Sequence, residues 1–154
     1  MKAVIQRVKF ANVVVNDVTV GEISQGILVY LGLGENDDLT IGKKMIDKIL
    51  TYRIFEDENG KMGKNVSDVG GGILLVSQFT LLANTKNGRR PDFSPAMSPE
   101  FAKPLFDDIV NYAKQQHHTV ATGEFGADMQ VSSCNDGPIN FRLWFKKYAT
   151  PTHS

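Results

Sequence analysis

Apolar positions in the first third of the chain fall at strand spacing. Val4, Val8 and Val13-Val14-Val15 lead to Asn16-Asp17, and Val18-Thr19-Val20 follows. Asn and Asp tolerate the positive φ angles of tight turns, so this stretch is predicted as a hairpin. Residues 26–33 form an almost continuous apolar run, expected as a strand buried on both faces. From Leu39 the period changes. Leu39, Met45, Ile46, Ile49 and Leu50 recur at helical intervals, with Asp37 and Asp38 placed to cap the N-terminus.

Ile54-Phe55 and Met62 flank an acidic segment ending in Asn59-Gly60, a pair that predicts a second hairpin turn. Three glycines at 70–72 introduce Ile73-Leu74-Leu75-Val76, a short buried strand that delivers Ser77-Gln78-Phe79-Thr80-Leu81 at its end. Residues 84–99 are polar and proline-punctuated, which suits a functional or docking loop. Ser98-Pro99-Glu100 is a helix start, with Phe101, Leu105, Phe106, Ile109, Val110 and Ala113 expected on one buried face. Pro104 inside that pattern is expected to delay or kink the first turn. Strands follow at 119–122, 127–134 and 139–145, with a turn between the last two. No second domain, repeat or low-complexity segment emerges, so residues 1–154 read as a single α/β domain with two main helices.

The 154 residues carry 17 Lys+Arg against 17 Asp+Glu, and 42% are hydrophobic. That balance excludes disorder and a uniformly basic surface, while leaving room for a local basic face. The basic stretches 1–16 (Lys2, Arg7, Lys9), 81–91 (Lys86, Arg89, Arg90) and 141–154 (Arg142, Lys146, Lys147) contain no acid. Scattered surface charge and convergence on nucleic-acid phosphates are both open readings of that pattern. Cys134 is the single cysteine, so no intrachain disulfide is available. No signal-like N-terminus and no apolar stretch of membrane-spanning length is present, so a cytoplasmic location without membrane contact is expected.

Several catalytic signatures are missing: the G-x-S-x-G elbow, the P-loop, H-E-x-x-H and a complete dinucleotide fingerprint. Neither a metal nor another cofactor is expected. His117, His118 and His153 follow a helix or sit in the tail and read as solvated surface residues. Cys134 reads as a small buried hydrophobe. Two clusters remain. Ser77-Gln78-Phe79-Thr80 gathers three polar side chains and an aromatic where a buried strand ends, a common place for a site, although a strand running out to the surface would look the same. Asn135-Asp136-Gly137-Pro138-Ile139-Asn140 has the composition of an ordinary turn.

Taken together, Ser77-Gln78-Phe79-Thr80-Leu81 and Asn135-x-Gly137-Pro138 resemble the paired signature of the D-aminoacyl-tRNA deacylases, small homodimeric editing hydrolases. The likeness extends through Ile5-Gln6-Arg7-Val8, Gly88-x-Arg90-Pro91-x-Phe93-Ser94 and the segment from Thr122 to Met129. One departure is Asn140, where the family usually has Thr; Asn keeps hydrogen-bonding capacity with different size and geometry. The resemblance implies mixed, largely antiparallel sheets forming a partly closed barrel, a homodimer, and aminoacylated tRNA as substrate. It implies hydrolysis of the ester joining a D-amino acid to the terminal ribose, with Ser77, Gln78, Phe79 and Thr80 as catalytic residues. Gly137, Pro138 and Met129 are implied in substrate binding and chiral selection. In the family Gly137-Pro138 is a cis peptide that reaches into the partner subunit's pocket.

An aminoacyl ester is already activated, so a positioned water or ribose hydroxyl and a stabilised oxyanion suffice. Thr80 is the side-chain nucleophile candidate. The favoured alternative is that backbone N–H groups around Phe79 and Thr80 bind the developing charge while the neighbouring ribose hydroxyl assists. Rigid backbone suits a chiral gate, and a gate that only excludes would let glycine and many D-side chains pass. Lys86, Arg89 and Arg90 are candidate tRNA contacts. Two other functions compete: an editing paralogue acting on small L-aminoacyl-tRNA, and a nucleic-acid-binding protein without turnover.

Overall fold

The computed structural model describes residues 1–147; His153 and the end of the third basic stretch lie outside them. The long strand β1 (Lys2–Val15) turns at Asn16 and Asp17, both at positive φ, into β2 (Val18–Ile23). β3 (Gly26–Gly32) continues in line with β2, so that β1 pairs antiparallel with both: Ala11 opposite Ile23, then Ile5 opposite Val29. The predicted hairpin forms around Asn16-Asp17 as β1 and β2, and β3 extends the antiparallel pairing along the rest of β1. Helix α1 (Leu39–Thr51) crosses over and the short hairpin β4 (Phe55–Glu56) and β5 (Met62–Lys64) follows. β6 (Gly72–Ser77) then pairs parallel with β3. Helix α2 (Pro99–Gln116) leads to β7 (Val120–Thr122), parallel to β6. The mixed sheet is nearly closed into a barrel, because β2 curls until the Gly21 backbone meets the Thr122 carbonyl.

Both faces of β3 and β6 are apolar because each side of the sheet is covered. Ile27, Val29, Ile73 and Leu75 face Met45, Ile46 and Ile49 of α1 and Phe106 and Ile109 of α2. Leu28, Leu74 and Val76 turn the other way, towards Val8, Val13 and Ile23 inside the barrel. Each such side chain is worth roughly 1.5–3 kcal/mol when fully buried, which fixes the helices to one face. Gly42 allows the helices to touch, since a Cβ there would lie 2.5 Å from Ile109.

Asp38 caps α1 by accepting the Ile41 N–H at 3.0 Å. Asp37 does something else: its carboxylate holds the buried Met1 ammonium at 2.7 Å and the Gly34 N–H at 2.7 Å. Helix α2 starts at Pro99 without delay at Pro104. Phe101 corrects the helical-face expectation, because its place in the first turn leaves it 66% exposed. His117 corrects another. It is buried, with Nε2 2.7 Å from the Gly71 carbonyl, because it ends α2 directly against the glycine run before β6.

The largest difference lies in β8 (Gln130–Trp144), which is one strand where two strands and a turn were expected. It pairs antiparallel with β1 along nearly its whole length, and Cys134 sits half-buried within it. Asn135 to Asn140 does not reverse the chain. Asp136 to Ile139 instead bulge out opposite Arg7, between the Val8–Asn135 and Gln6–Asn140 pairs.

Candidate active site

β6 runs through the core and stops at Ser77, so the sheet itself delivers the first cluster to the surface. Gln78 still gives its N–H to the Leu31 carbonyl at 2.8 Å. Phe79–Leu82 then wind into a 3₁₀ turn, whose first N–H groups have no partner within the turn. Leu81 N–H returns to the Gln78 carbonyl at 3.3 Å and Ala83 N–H to the Thr80 carbonyl at 3.2 Å. Among the described residues no acceptor meets the N–H of Phe79 or Thr80. Two adjacent backbone donors are left open where the strand ends.

The Thr80 hydroxyl is engaged by the side-chain amide of Gln78, which donates to its oxygen. An amide N–H cannot accept the hydroxyl proton, so this contact orients Thr80 without activating it. Among the described residues no group of three or more His, Cys, Asp and Glu gathers that could hold a metal ion.

Ser77, Gln78 and Phe79 line a cavity of about 650 Å³ floored by Leu31, Leu33 and Val76. That volume lies in the range of small-molecule sites. Met129 and Val131 form one side, with Phe125 and Ala127; Phe93, Ala96 and Met97 form another. The Phe79 and Phe93 rings meet edge-on at 5.0 Å and are both exposed. The 93–97 wall is held by Met97 N–H on the Leu33 carbonyl at 3.0 Å and Glu35 N–H on the Pro95 carbonyl at 3.2 Å. Thr80 is exposed and lies beside this cavity, outside its lining.

Gly137 and Pro138 are not brought to that cavity. They sit exposed on the β8 bulge, joined by a cis peptide. Gly137 adopts φ +127°, and a Cβ there would lie 3.0 Å from the Ile139 backbone nitrogen, so the position is written for glycine. Arg7 anchors the bulge from behind: Nε donates to the Asp136 carbonyl at 3.2 Å and Nη1 to the Ile54 carbonyl at 3.0 Å. An ion pair to the Asp136 carboxylate at 3.5 Å adds to this.

Lys86, Arg89 and Arg90 stand exposed in a loop closed at its neck by reciprocal Asn84–Asp92 backbone bonds of 2.7 and 3.2 Å. Asp92 also accepts from the Ser94 N–H and hydroxyl, and the Ser94 backbone bond first of all holds its carboxyl below the ordinary value. The other basic stretches are partly spent within the fold. Arg7 is buried, Lys147 pairs with Asp38 at 3.1 Å, and Lys2 and Lys146 lie over the Trp144 ring at 4.9 and 4.2 Å. In the 86–90 loop all three basic side chains are exposed, and Lys9, Arg142, Lys146 and Lys147 of the other two stretches are exposed as well. The walls from Ala96, Met97 and Phe125 had no role in the sequence pattern; the resemblance motifs contained Phe93 and Phe125 without assigning them one.

Known proteins give these features a context. A family model described as D-Tyr-tRNA(Tyr) deacylase matches residues 4–144. A D-aminoacyl-tRNA deacylase of Acinetobacter baylyi is 62% identical over 143 residues, covering 93% of this chain and 98% of that protein. One from Psychrobacter cryohalolentis is 59% identical over 148 residues, with the same coverage of 93% and 98%. A solved structure of a c-Myc DNA Unwinding Element Binding Protein superposes with a TM-score of 0.91 at 39% identity, covering 96% of this chain and 100% of that one. A probable eukaryotic D-amino acid tRNA deacylase shares the fold at a TM-score of 0.81 and 16% identity, covering 92% of this chain and 97% of that one.

Proposed function

The chain belongs to the D-Tyr-tRNA(Tyr) deacylase family and is a D-aminoacyl-tRNA deacylase, a carboxylic ester hydrolase, and from that premise we propose a two-chain site in which one copy hydrolyses the ester and the other selects its chirality. The observation that carries the catalytic half is the pair of open N–H groups at Phe79 and Thr80 on the rim of the cavity. The ester carbonyl oxygen lies against these donors. Water, assisted by the neighbouring ribose hydroxyl, adds to the carbonyl carbon; the negative charge that develops on oxygen is met by donors already in place. Collapse breaks the bond to the ribose oxygen, which takes up the proton, and free D-amino acid and tRNA leave. Gln78 orients Thr80, Ser77 contacts the substrate, and neither needs to act as a base.

The apolar cavity with its three phenyl rings, Phe79, Phe93 and Phe125, suits the terminal adenosine of tRNA, leaving the amino-acid side chain towards the opening. Gly137 and Pro138 lie outside the lining of their own chain's cavity and are exposed, which supports their insertion into the site of a second copy in a homodimer. Backbone there, with Met129 beside it, excludes an L-side chain and leaves D-side chains and glycine unopposed. The Lys86, Arg89 and Arg90 loop, next to Phe93, grips phosphates of the incoming tRNA in the cytoplasm.

Matched tRNA charged with D-Tyr or L-Tyr tests this reading: release of D-Tyr with retention of L-Tyr is expected. A second reading, binding of nucleic acid without turnover, draws on the likeness to the c-Myc DNA Unwinding Element Binding Protein, which superposes at a TM-score of 0.91. Tight binding of both charged tRNAs with release of neither would establish it instead.

A further inference from the structure

The β8 bulge that carries Gly137 and Pro138 is held on its other side by two side-chain amides. Asn135 Oδ1 accepts the Ile139 N–H at 3.2 Å, closing the bulge across its base. Asn135 Nδ2 donates to Asn140 Oδ1 at 2.6 Å. The two contacts are coupled. Because a backbone N–H can only donate, it fixes which end of the Asn135 amide is oxygen, and the NH₂ end must then find an acceptor. Asn140 supplies it. Asn140 is well placed to do so, because it is the residue at which β8 rejoins the ladder, opposite Gln6. Its own backbone is therefore fixed by the sheet while the residues before it are free of the ladder.

We propose that Asn140 is a positioning residue for chiral selection. It acts through Asn135: by accepting from the Asn135 amide it keeps the Asn135 oxygen on the Ile139 N–H, and so fixes the height and tilt of the Gly137–Pro138 backbone. Arg7 anchors the Asp136 end of the bulge and the Asn135–Asn140 pair the Ile139 end. This inference rests on the reading that Gly137 and Pro138 exclude L-side chains. The acceptor on residue 140 is what matters, so Asn140→Asp, which keeps an oxygen at the same reach, retains the clamp. Asn140→Leu, similar in size but without an acceptor, releases Asn135 to rotate into solvent. A side chain this exposed is not needed for the core.

The test compares Asn140→Leu, Asn140→Asp and Pro138→Ala with the unmodified full-length protein, measuring kcat/KM on D-Tyr-tRNA and L-Tyr-tRNA and the Tm of each. Asn140→Leu is expected to raise the L/D ratio of kcat/KM by about 3- to 10-fold, the size of one net hydrogen bond, with the Asn140→Asp ratio at the unmodified value. An unchanged ratio in Asn140→Leu, or the same rise in Asn140→Asp, overturns the proposal. Asn135→Ala gives a second readout and is expected to match Asn140→Leu. If Pro138→Ala raises the ratio and Asn140→Leu does not, the clamp alone is wrong. If Pro138→Ala leaves L-Tyr rejected, the gate itself is wrong and the clamp falls with it.

Discussion

Arg7 donates from Nε to the Asp136 backbone carbonyl at 3.2 Å, and this tie crosses from the middle of β1 to the base of the β8 bulge. The same guanidinium reaches the Ile54 carbonyl at 3.0 Å. A side chain only 8% accessible thus holds two carbonyls that β-ladder pairing leaves over. Arg7→Met strips the donors from both and is expected to cost about 2–6 kcal/mol, since each unsatisfied carbonyl forfeits roughly 1–3 kcal/mol. Arg7→Lys keeps the charge but not the fork that spans Asp136 and Ile54, and falls between. Thermal unfolding reads the stability, and cleavage of L-Tyr-tRNA reads the loosening of the bulge; an Arg7→Met protein with unchanged Tm would count against the anchoring.

Oxyanion stabilisation by backbone separates two otherwise similar variants at Phe79. Phe79→Ala removes the ring and keeps the N–H; Phe79→Pro removes both, at the first position of a helical turn where proline fits. Single-turnover rates are expected to differ by about 10²–10³-fold between them, the usual loss for one oxyanion donor. Thr80→Ala should retain most of the rate, because the Gln78 amide donates to that hydroxyl and cannot take its proton. Near-complete loss in Thr80→Ala with intact tRNA binding would restore Thr80 as the nucleophile.

Selection by exclusion alone makes a definite statement about the smallest substrate. Glycine presents nothing for the Gly137–Pro138 backbone to reject, so glycyl-tRNA should be cleaved at a measurable rate. Complete inactivity on glycyl-tRNA, with D-aminoacyl-tRNA cleaved normally, would mean that the D-side chain makes a contact needed for turnover.

The basic loop is expected to act on tRNA and not on the amino acid. Arg89→Glu or Arg90→Glu should weaken binding of D-Tyr-tRNA and uncharged tRNA alike. Each lost phosphate contact should also reduce the slope of log K against log salt by roughly one. A loss confined to charged tRNA would move these residues into the ester site.

The periodic parts of the fold were legible from the chain because their cause is local. Leu39, Met45, Ile46 and Ile49 mark one helix face and Asp38 caps it; Ile73 to Val76 are apolar on both sides because both sides of β6 are covered. The bulge was not legible. Asn-Asp-Gly-Pro spells a reverse turn as well as it spells a bulge, and only the register of β8 on β1 decides between them. Arg7 counts in the sequence only as one charge of a basic stretch, because the sequence cannot show that a guanidinium points inward. His117 looked solvated because the glycines that bury it lie far back in the chain. The cavity posed the same difficulty, with Leu31, Phe79, Phe93, Phe125 and Met129 drawn from separate elements that meet only in three dimensions.

That each site is completed by a second copy is tested most directly by mixing two defects. A chain carrying Phe79→Pro keeps its bulge and loses the Phe79 donor; a chain carrying Pro138→Ala keeps both donors and loses its gate. The Pro138→Ala protein alone should cleave both D- and L-Tyr-tRNA. When it is co-expressed with an excess of Phe79→Pro chains, each working cavity receives an intact bulge from its partner. The rate of L-Tyr release per Pro138→Ala chain should then fall towards zero while D-Tyr release persists. L-Tyr release that stays at the level of the Pro138→Ala protein alone, in dimers verified to be mixed, would contradict a gate supplied by the second copy.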